Sequence, residues 1–134
     1  MSTTQKRILY VDDDEDDRVI MAASVERVNP NVEVVLAENG LEALEWLKSA
    51  QESASRLPCL IVLDLNMPFL DGRETFQRLR EDTGLQKVPV IVFSSSENPG
   101  DKAQFTALGI EFLTKPSSIA NMSEIVNHMI SLCC

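Results

Sequence analysis

The predicted fold is organised around residues 60–68, which read Leu60-Ile61-Val62-Leu63-Asp64-Leu65-Asn66-Met67-Pro68. Four consecutive apolar residues followed by an acid, a polar residue and a proline predict a strand that is buried on both faces and ends abruptly. Asp64 therefore stands at the end of that strand. Ligands of parallel sheets bind at the carboxyl ends of the strands, because side chains and loops converge there outside the packed core. Asp64 is thus the candidate reactive group of the chain.

Four further apolar runs predict strands at residues 8–11, 32–37, 89–93 and 110–114. Helical patterns lie between the strands, at residues 15–28, 41–50, 71–81 and 98–108, and a last helix follows Pro116. Gly84 is expected to end the third helix in the left-handed conformation. Five strands alternating with five helices predict an α/β fold with a doubly wound parallel sheet. The expected strand order is the flavodoxin-like 2-1-3-4-5, with a crevice between strands 1 and 3.

Composition narrows the class of protein. A chain of 134 residues is expected to form one domain, residues 1–134, with no second domain attached. Twelve Lys and Arg against 21 Asp and Glu give a net charge of −9, which would repel a phosphate backbone and argues against direct nucleic-acid binding. No long apolar run or secretory leader is present, so we expect no membrane span and a cytoplasmic location.

The three cysteines are Cys59, Cys133 and Cys134, an odd number without metal-ligand spacing. Cys59 begins an apolar strand and is interpreted as a small core residue. The terminal pair is expected to lie on a frayed end, and the sequence assigns it no role. A reducing compartment is the default expectation.

In the predicted sheet the ends of strands 1 and 3 are neighbours, which brings Asp12 and Asp13 beside Asp64. Two like charges about 4 Å apart repel by roughly 4 kcal/mol at an effective dielectric constant of 20, so a divalent cation is expected. An all-oxygen site that leaves positions open for water and phosphate suits Mg2+. The alternative is that acids after a strand only cap the next helix, whose dipole favours negative charge. That interpretation is preferred for the acids that follow, Glu15, Asp16 and Asp17.

The ends of strands 4 and 5 lie on the other side of Asp64 and carry Ser94 and Lys115. A hydroxyl can donate to a phosphoryl oxygen, and an ammonium group supplies a compact positive charge for the same group. Either residue alone would be interpreted as an ordinary surface residue, but together they predict a phosphoryl-binding site. The Lys115-Pro116 bond is a candidate cis peptide, because a tight turn there could aim the lysine.

These residues resemble the receiver domain of two-component response regulators, in its stand-alone, chemotaxis-regulator-like form. The resemblance covers nearly the whole chain, in order, through Val11-Asp12-Asp13, the stretch ending in Met67-Pro68 with Asp71-Gly72, residues 89–94, and Phe112-Leu113-Thr114-Lys115-Pro116. It implies a signalling phosphoacceptor rather than an enzyme, one that assists its own phosphorylation and dephosphorylation.

The resemblance also implies a role for each site residue. Asp64 would accept the phosphoryl group, and Ser94 and Lys115 would contact it. Asp13 and Asp64 would ligate Mg2+ together with the backbone carbonyl of Asn66, and Asp12 would act mainly through a water molecule. Asn66 and Ser96 occupy positions that help to set how fast phosphate is lost.

Switching and partners are further implications of the resemblance. Phosphorylation would pull Ser94 towards Asp64 and let Phe112 fill the vacated space, which would change the face formed by helix 4, strand 5 and helix 5. The only histidine, His128, is predicted on the last helix, away from the site. A phosphohistidine must therefore come from another protein, a sensor histidine kinase or a histidine phosphotransfer protein, and the output passes to a downstream protein target.

Two alternatives stay open on the sequence. Asp12-Asp13-Asp14 also fits the Asp-x-Asp start of haloacid-dehalogenase-type phosphatases, with Asp12 as nucleophile. Asp16, however, stands where those enzymes have Thr or Val, and the chain is short for a substrate-selecting cap domain. The second alternative is a receiver-like interaction module that is never phosphorylated, and the presence of all the site residues argues against it.

Overall fold

In the part of the chain that the structure describes, five strands alternate with five helices. The computed structural model describes residues 6–52, 57–96 and 98–133, without the side chain of Ile119. The strands are Arg7–Val11 (β1), Glu33–Ala37 (β2), Leu60–Leu63 (β3), Val90–Ser94 (β4) and Phe112–Thr114 (β5). The helices are Glu15–Val28 (α1), Gly40–Gln51 (α2), Gly72–Glu81 (α3), Pro99–Ala107 (α4) and Met122–Ser131 (α5), the last preceded by a 3-10 turn, Ile119–Asn121. None of the helices in these ranges has the length and apolar character that crossing a membrane requires.

The strands form one parallel sheet in the order β2-β1-β3-β4-β5, which confirms the predicted fold class and strand order. Leu63 lies opposite Val11 on one side and Val92 on the other, so the strands that flank β3 end at the same edge as β3 does. The Asp64 N–H donates to the Val11 carbonyl, at 3.0 Å, and continues the pairing one residue past the strand. The residue after β3 is therefore fixed at the carboxyl edge of the sheet.

The core lies on both faces of the sheet, with β3 at its centre. All four residues of β3 are at most 1% exposed. Because successive strand residues point to opposite faces, Ile61 and Leu63 pack against side chains of α2, α3 and α4, while Leu60 and Val62 pack against α1 and α5. Each such buried side chain contributes about 1.5–3 kcal/mol. This packing holds β3, and with it Asp64, in one position.

Four of the five α-helices begin at a side-chain cap of the expected kind, and the caps are Asp14, Asn39, Asp71 and Asn98. Each such cap contributes about 1 kcal/mol. The prediction that Gly84 ends α3 in the left-handed conformation is wrong. The helix ends earlier, at an extended Asp82 whose side chain accepts a hydrogen bond from the Gly84 N–H. Gly109, with a φ of 77°, is the glycine that adopts the left-handed conformation, one residue after the C-cap Leu108 of α4.

The cysteines differ from the sequence prediction. Cys133 is 1% exposed and forms a disulfide with Cys59, with a Cα–Cα distance of 5.0 Å. Cys133 is therefore not on a frayed end, because it lies in the core cluster that contains Leu60 and Met129. The bond joins the residue before β3 to the segment that follows α5. Cys134 lies outside the described residues.

Candidate functional site

Three carboxylates meet at the carboxyl edge of the sheet, at the ends of the neighbouring strands β1 and β3. One oxygen from each of Asp12, Asp13 and Asp64 lies within 4.8 Å of the others. Asp12 is fully buried, Asp64 is 6% exposed and Asp13 is open to solvent. Buried like charges at this spacing repel unless positive charge compensates them. The cluster has the all-oxygen donor set that a hard divalent cation prefers.

Asp12 is held from several sides. Its Oδ2 accepts hydrogen bonds from the Tyr10 hydroxyl, at 2.5 Å, and from the Lys115 ammonium group, at 2.6 Å. Its Oδ1 accepts a hydrogen bond from the Asp14 N–H at 3.0 Å, and its backbone carbonyl accepts one from Arg18. Burial and the charge of Asp12 raise the pKa of Tyr10, which therefore remains a hydrogen-bond donor. These bonds occupy both carboxylate oxygens of Asp12.

One oxygen of the Asp64 carboxylate accepts a backbone hydrogen bond, and the other faces the ammonium group of Lys115. Oδ1 accepts a hydrogen bond from the Leu65 N–H at 2.8 Å, and Oδ2 lies 3.4 Å from Lys115 Nζ. Burial raises the pKa of Asp64 above its ordinary value, and the charge of Asp12 adds to this effect. Lys115 and a hydrogen bond from Ser94 act in the opposite direction. The carboxylate therefore depends on nearby positive charge to stay ionised.

Lys115 reaches the cluster from the end of β5. Besides Asp12 and Asp64, its Nζ donates to Asp17 Oδ2 at 2.8 Å. Burial disfavours the charged ammonium group, but hydrogen bonds to Asp12 and Asp17 outweigh burial and raise the pKa of Lys115. Lys115 therefore stays positively charged.

The predicted cis bond between Lys115 and Pro116 is wrong, because the described residues contain no cis peptide. The reason lies in the strand pairing. The Lys115 N–H donates to the Ser94 carbonyl at 3.0 Å, which continues the pairing of β4 and β5. That pairing already directs the lysine to the site.

Asp17 is a partner of Lys115 that the sequence did not predict. Glu15 and Asp16, which precede it in the first turn of α1, are exposed, but Asp17 turns towards Lys115. The interpretation of Asp17 as a simple helix-dipole residue is therefore wrong. The sequence carries no signal that separates Asp17 from Asp16, because both acids lie in the first turn of α1. The register of the helix over the sheet decides which of the two contacts Lys115.

The structure also places the remaining predicted residues. Ser94, the last residue of β4, is fully buried, and its hydroxyl oxygen accepts a hydrogen bond from the Ser96 N–H at 3.2 Å. Phe112 is buried, at 8% exposed, with its ring centroid 6.5 Å from that of Phe105 in α4. Asn66 is exposed on the loop between β3 and α3. Ser94 and Lys115 thus lie at the same edge of the sheet as Asp64.

Gly72 lets the start of α3 pack directly on the backbone of Asp64. A Cβ at this position would lie 2.2 Å from the Asp64 carbonyl oxygen and 2.8 Å from the Leu65 Cα. The Gly72 N–H donates to the Leu65 carbonyl at 2.9 Å. Only glycine fits this close approach, so Gly72 supports the position of Asp64 without entering the site.

A family model, a curated relative and a solved structure each match most of this chain. Residues 8–127 match the family model described as response regulator receiver domain. The chain is 30% identical over 127 residues to the response regulator Rcp1 of Synechocystis sp., which covers 93% of this chain and 86% of that protein. Other curated relatives are longer, and the chain spans 51% of the response regulator Rre1 of the same organism.

Two solved structures resemble the fold closely. The phosphorylated cyanobacterial phytochrome response regulator RcpA superposes with a TM-score of 0.83 at 30% identity, covering 96% of this chain and 94% of that one. The Mn(2+)-bound form of Rcp1 gives a TM-score of 0.80 at 29% identity, covering 94% and 92%. Since the family model matches nearly the whole described chain and the fold agrees with these structures, the chain belongs to the response regulator receiver domain family.

Proposed function

We propose that Asp64 accepts a phosphoryl group from the phosphohistidine of a sensor histidine kinase or a histidine phosphotransfer protein. One observation carries this proposal: Lys115 Nζ and the carboxylates of Asp12 and Asp13 converge on the Asp64 carboxylate. The ionised carboxylate, a metal-type acidic cluster and a charged amine are the groups that phosphoryl transfer to an aspartate needs. They come from three different strand ends of one sheet.

The donor set fits Mg2+. Mg2+ keeps several water ligands and binds proteins through one or two carboxylates. The carboxylates of Asp13 and Asp64 would supply these ligands, together with the backbone carbonyl oxygen of Asn66. Both oxygens of Asp12 already accept hydrogen bonds, which favours an indirect role for this residue. When bound, the ion neutralises charge on the phosphoryl oxygens. The Mn(2+)-bound form of Rcp1 supports a divalent cation in a relative.

In the proposed transfer an oxygen of the Asp64 carboxylate attacks phosphorus. The new P–O bond forms while the P–N bond to the partner's histidine breaks, and the electron pair of that bond leaves with the imidazole, which takes up a proton. The charged ammonium group of Lys115 would donate a hydrogen bond to a phosphoryl oxygen in place of its present contact with Asp64. The Ser94 hydroxyl would donate to another phosphoryl oxygen.

Switching would follow from the movement of Ser94. Its hydroxyl oxygen now accepts a hydrogen bond from the Ser96 N–H, and accepting that bond leaves the hydroxyl proton free to be donated to the phosphoryl group. The space that it leaves would admit Phe112, whose ring now packs near Phe105 of α4. This local event changes the face formed by α4, β5 and α5, where we place contacts with a downstream protein target.

The phosphatase alternative has no support from the family match. The geometry also disfavours it, because the nucleophile that it needs, Asp12, is fully buried and has both oxygens engaged. Asp64 is 6% exposed, and its Oδ2 makes only the longest of the three contacts of Lys115 with carboxylates, at 3.4 Å.

The test uses a small phosphodonor, acetyl phosphate, with Mg2+, and intact-mass spectrometry. The parent chain is expected to gain one phosphoryl group, and an Asp64→Asn variant none. Asp16→Asn is the matched control, because Asp16 is exposed in the same acidic run and has no part in the site. Equal labelling of the Asp64→Asn variant and the parent would refute the assignment.

A further inference from the structure

The loop between β3 and α3 exposes an aromatic side chain near the acidic cluster. Phe69 is 84% exposed, more than any other large apolar residue described. It precedes Gly72 by three residues, and Gly72 lies against the Asp64 backbone. The loop leaves the carboxyl end of β3 directly after Asp64, and the acidic cluster lies at that edge of the sheet. Phe69 therefore belongs to a loop that borders the edge where Asp64 lies.

The backbone at Phe69 is strained. Its φ is 67°, and it is the one residue other than glycine with a positive φ among those described. The Leu70 N–H donates to the Pro68 carbonyl at 2.8 Å, which closes a three-residue turn with Phe69 at its centre. Turns of this kind with a positive central φ are rare and strained, and a bulky residue there is an outlier. Glycine or asparagine would adopt this conformation more easily.

The fold gains little from the Phe69 ring. The loop is anchored instead by its neighbours Met67 and Leu70, which are 9% and 4% exposed. An exposed aromatic ring and a strained backbone are both unfavourable, and here they coincide at one residue. Strained residues of this kind cluster at ligand-binding and functional sites.

We propose that Phe69 is a docking residue for the protein that donates the phosphoryl group. The inference rests on the proposed function of Asp64, because a phosphohistidine has to approach from the open edge of the sheet and its protein must cover the surrounding loops. Aromatic residues that fill a pocket contribute most to the binding energy of many interfaces. The partner thus presents an apolar depression for the ring.

Charged residues at the same edge of the sheet indicate the rest of the partner surface. After the buried Asp12, the next four residues are acidic and exposed, and they are Asp13, Asp14, Glu15 and Asp16. A complementary partner has basic side chains around its phosphohistidine, and such charges raise the rate of encounter. Apolar contact at Phe69 and basic contact at the start of α1 together describe this partner.

The experiment compares two phosphodonors on the same variants. A panel of purified, phosphorylated sensor histidine kinases is screened first, and the kinase that transfers fastest to the parent chain is used together with acetyl phosphate. The readout is the ratio of the kinase-dependent to the acetyl-phosphate-dependent rate. Phe69→Asn removes the ring and suits the left-handed backbone. Leu108→Asn is the control, because Leu108 is 55% exposed at the other end of α4, away from the site.

Phe69→Asn is expected to lower this ratio at least tenfold, through a higher KM for the kinase. Phe69→Tyr keeps an aromatic ring and is expected to keep a ratio close to that of the parent. Leu108→Asn is expected to keep the parent ratio. A parent ratio in the Phe69→Asn variant would overturn the proposal. So would loss of self-association in that variant with the ratio unchanged, because the ring would then serve contacts between copies of the chain. Failure of acetyl phosphate to label the parent would instead refute the function of Asp64.

Discussion

Reduction of the Cys59–Cys133 disulfide is expected to destabilise the fold strongly. The two cysteines are 74 residues apart in the sequence. For a closed loop of that length, the loss of chain entropy in the unfolded state corresponds to about 4.5 kcal/mol at 25 °C. With about 2.1 cal/mol/K of unfolding entropy per residue, a chain of 134 residues should lose roughly 16 °C in Tm. The bond thus contributes a large part of a typical domain's stability.

The measurement is thermal unfolding with and without a thiol reductant, in a Cys134→Ser background that prevents exchange with the terminal cysteine. Thiol alkylation and mass spectrometry report the redox state of each sample. Cys59→Ala should unfold near the temperature of the reduced protein and should not respond to reductant. Equal Tm values for the oxidised and reduced protein, with alkylation confirming both states, would refute this account of the disulfide.

Three further predictions concern the site and its support. Gly72→Ala should destabilise the fold by about 1–3 kcal/mol and slow phosphorylation, because its Cβ would meet the Asp64 carbonyl oxygen. Gly100→Ala, where a Cβ meets one side-chain oxygen at 3.1 Å, should do neither in melting and labelling assays. Without divalent cations, Asp64→Asn should be more stable than the parent at neutral pH. Burial raises the pKa of Asp64 above its ordinary value of 3.8. The parent therefore loses stability as pH rises through the raised pKa, and below pH 3.8 the two proteins should be equally stable. Urea unfolding at several pH values measures this, and a parent whose stability increases relative to that of the variant as pH rises would contradict it. Asp101→Asn should lower the free energy of unfolding by about 1.5–3 kcal/mol, the usual contribution of hydrogen bonds to a charged group. The substitution weakens the two contacts of Asp101 with Arg73, at 2.6 and 3.1 Å. If urea unfolding shows the same loss in an Arg73→Ala background, this pair is not the cause.

Much of the fold could be predicted from the sequence, because its signals are local. The apolar run before Asp64 marks a strand buried on both faces, and five such runs alternating with helices leave few possible topologies. The placement of Asp12 and Lys115 near Asp64 follows from strand order alone, since all three residues come directly after parallel strands.

The remaining features depend on tertiary geometry. Which acid of α1 contacts Lys115 depends on how that helix rotates over the sheet, so Asp17 could not be separated from Asp16 in sequence. The pairing of Cys59 with Cys133 depends on where the last turn of α5 meets the start of β3. The positive φ of Phe69 contradicts the preference of its residue type, so no local propensity predicts it.

The position of the phosphoryl group tests the role of Asp64 most directly. The chain is phosphorylated with acetyl phosphate and Mg2+, the acyl phosphate is reduced with borohydride, and the modified residue is identified by peptide mass spectrometry. Modification of Asp64 alone is expected, and it should be lost when the divalent cation is chelated. Modification of Asp12, or labelling that does not need the cation, would contradict it.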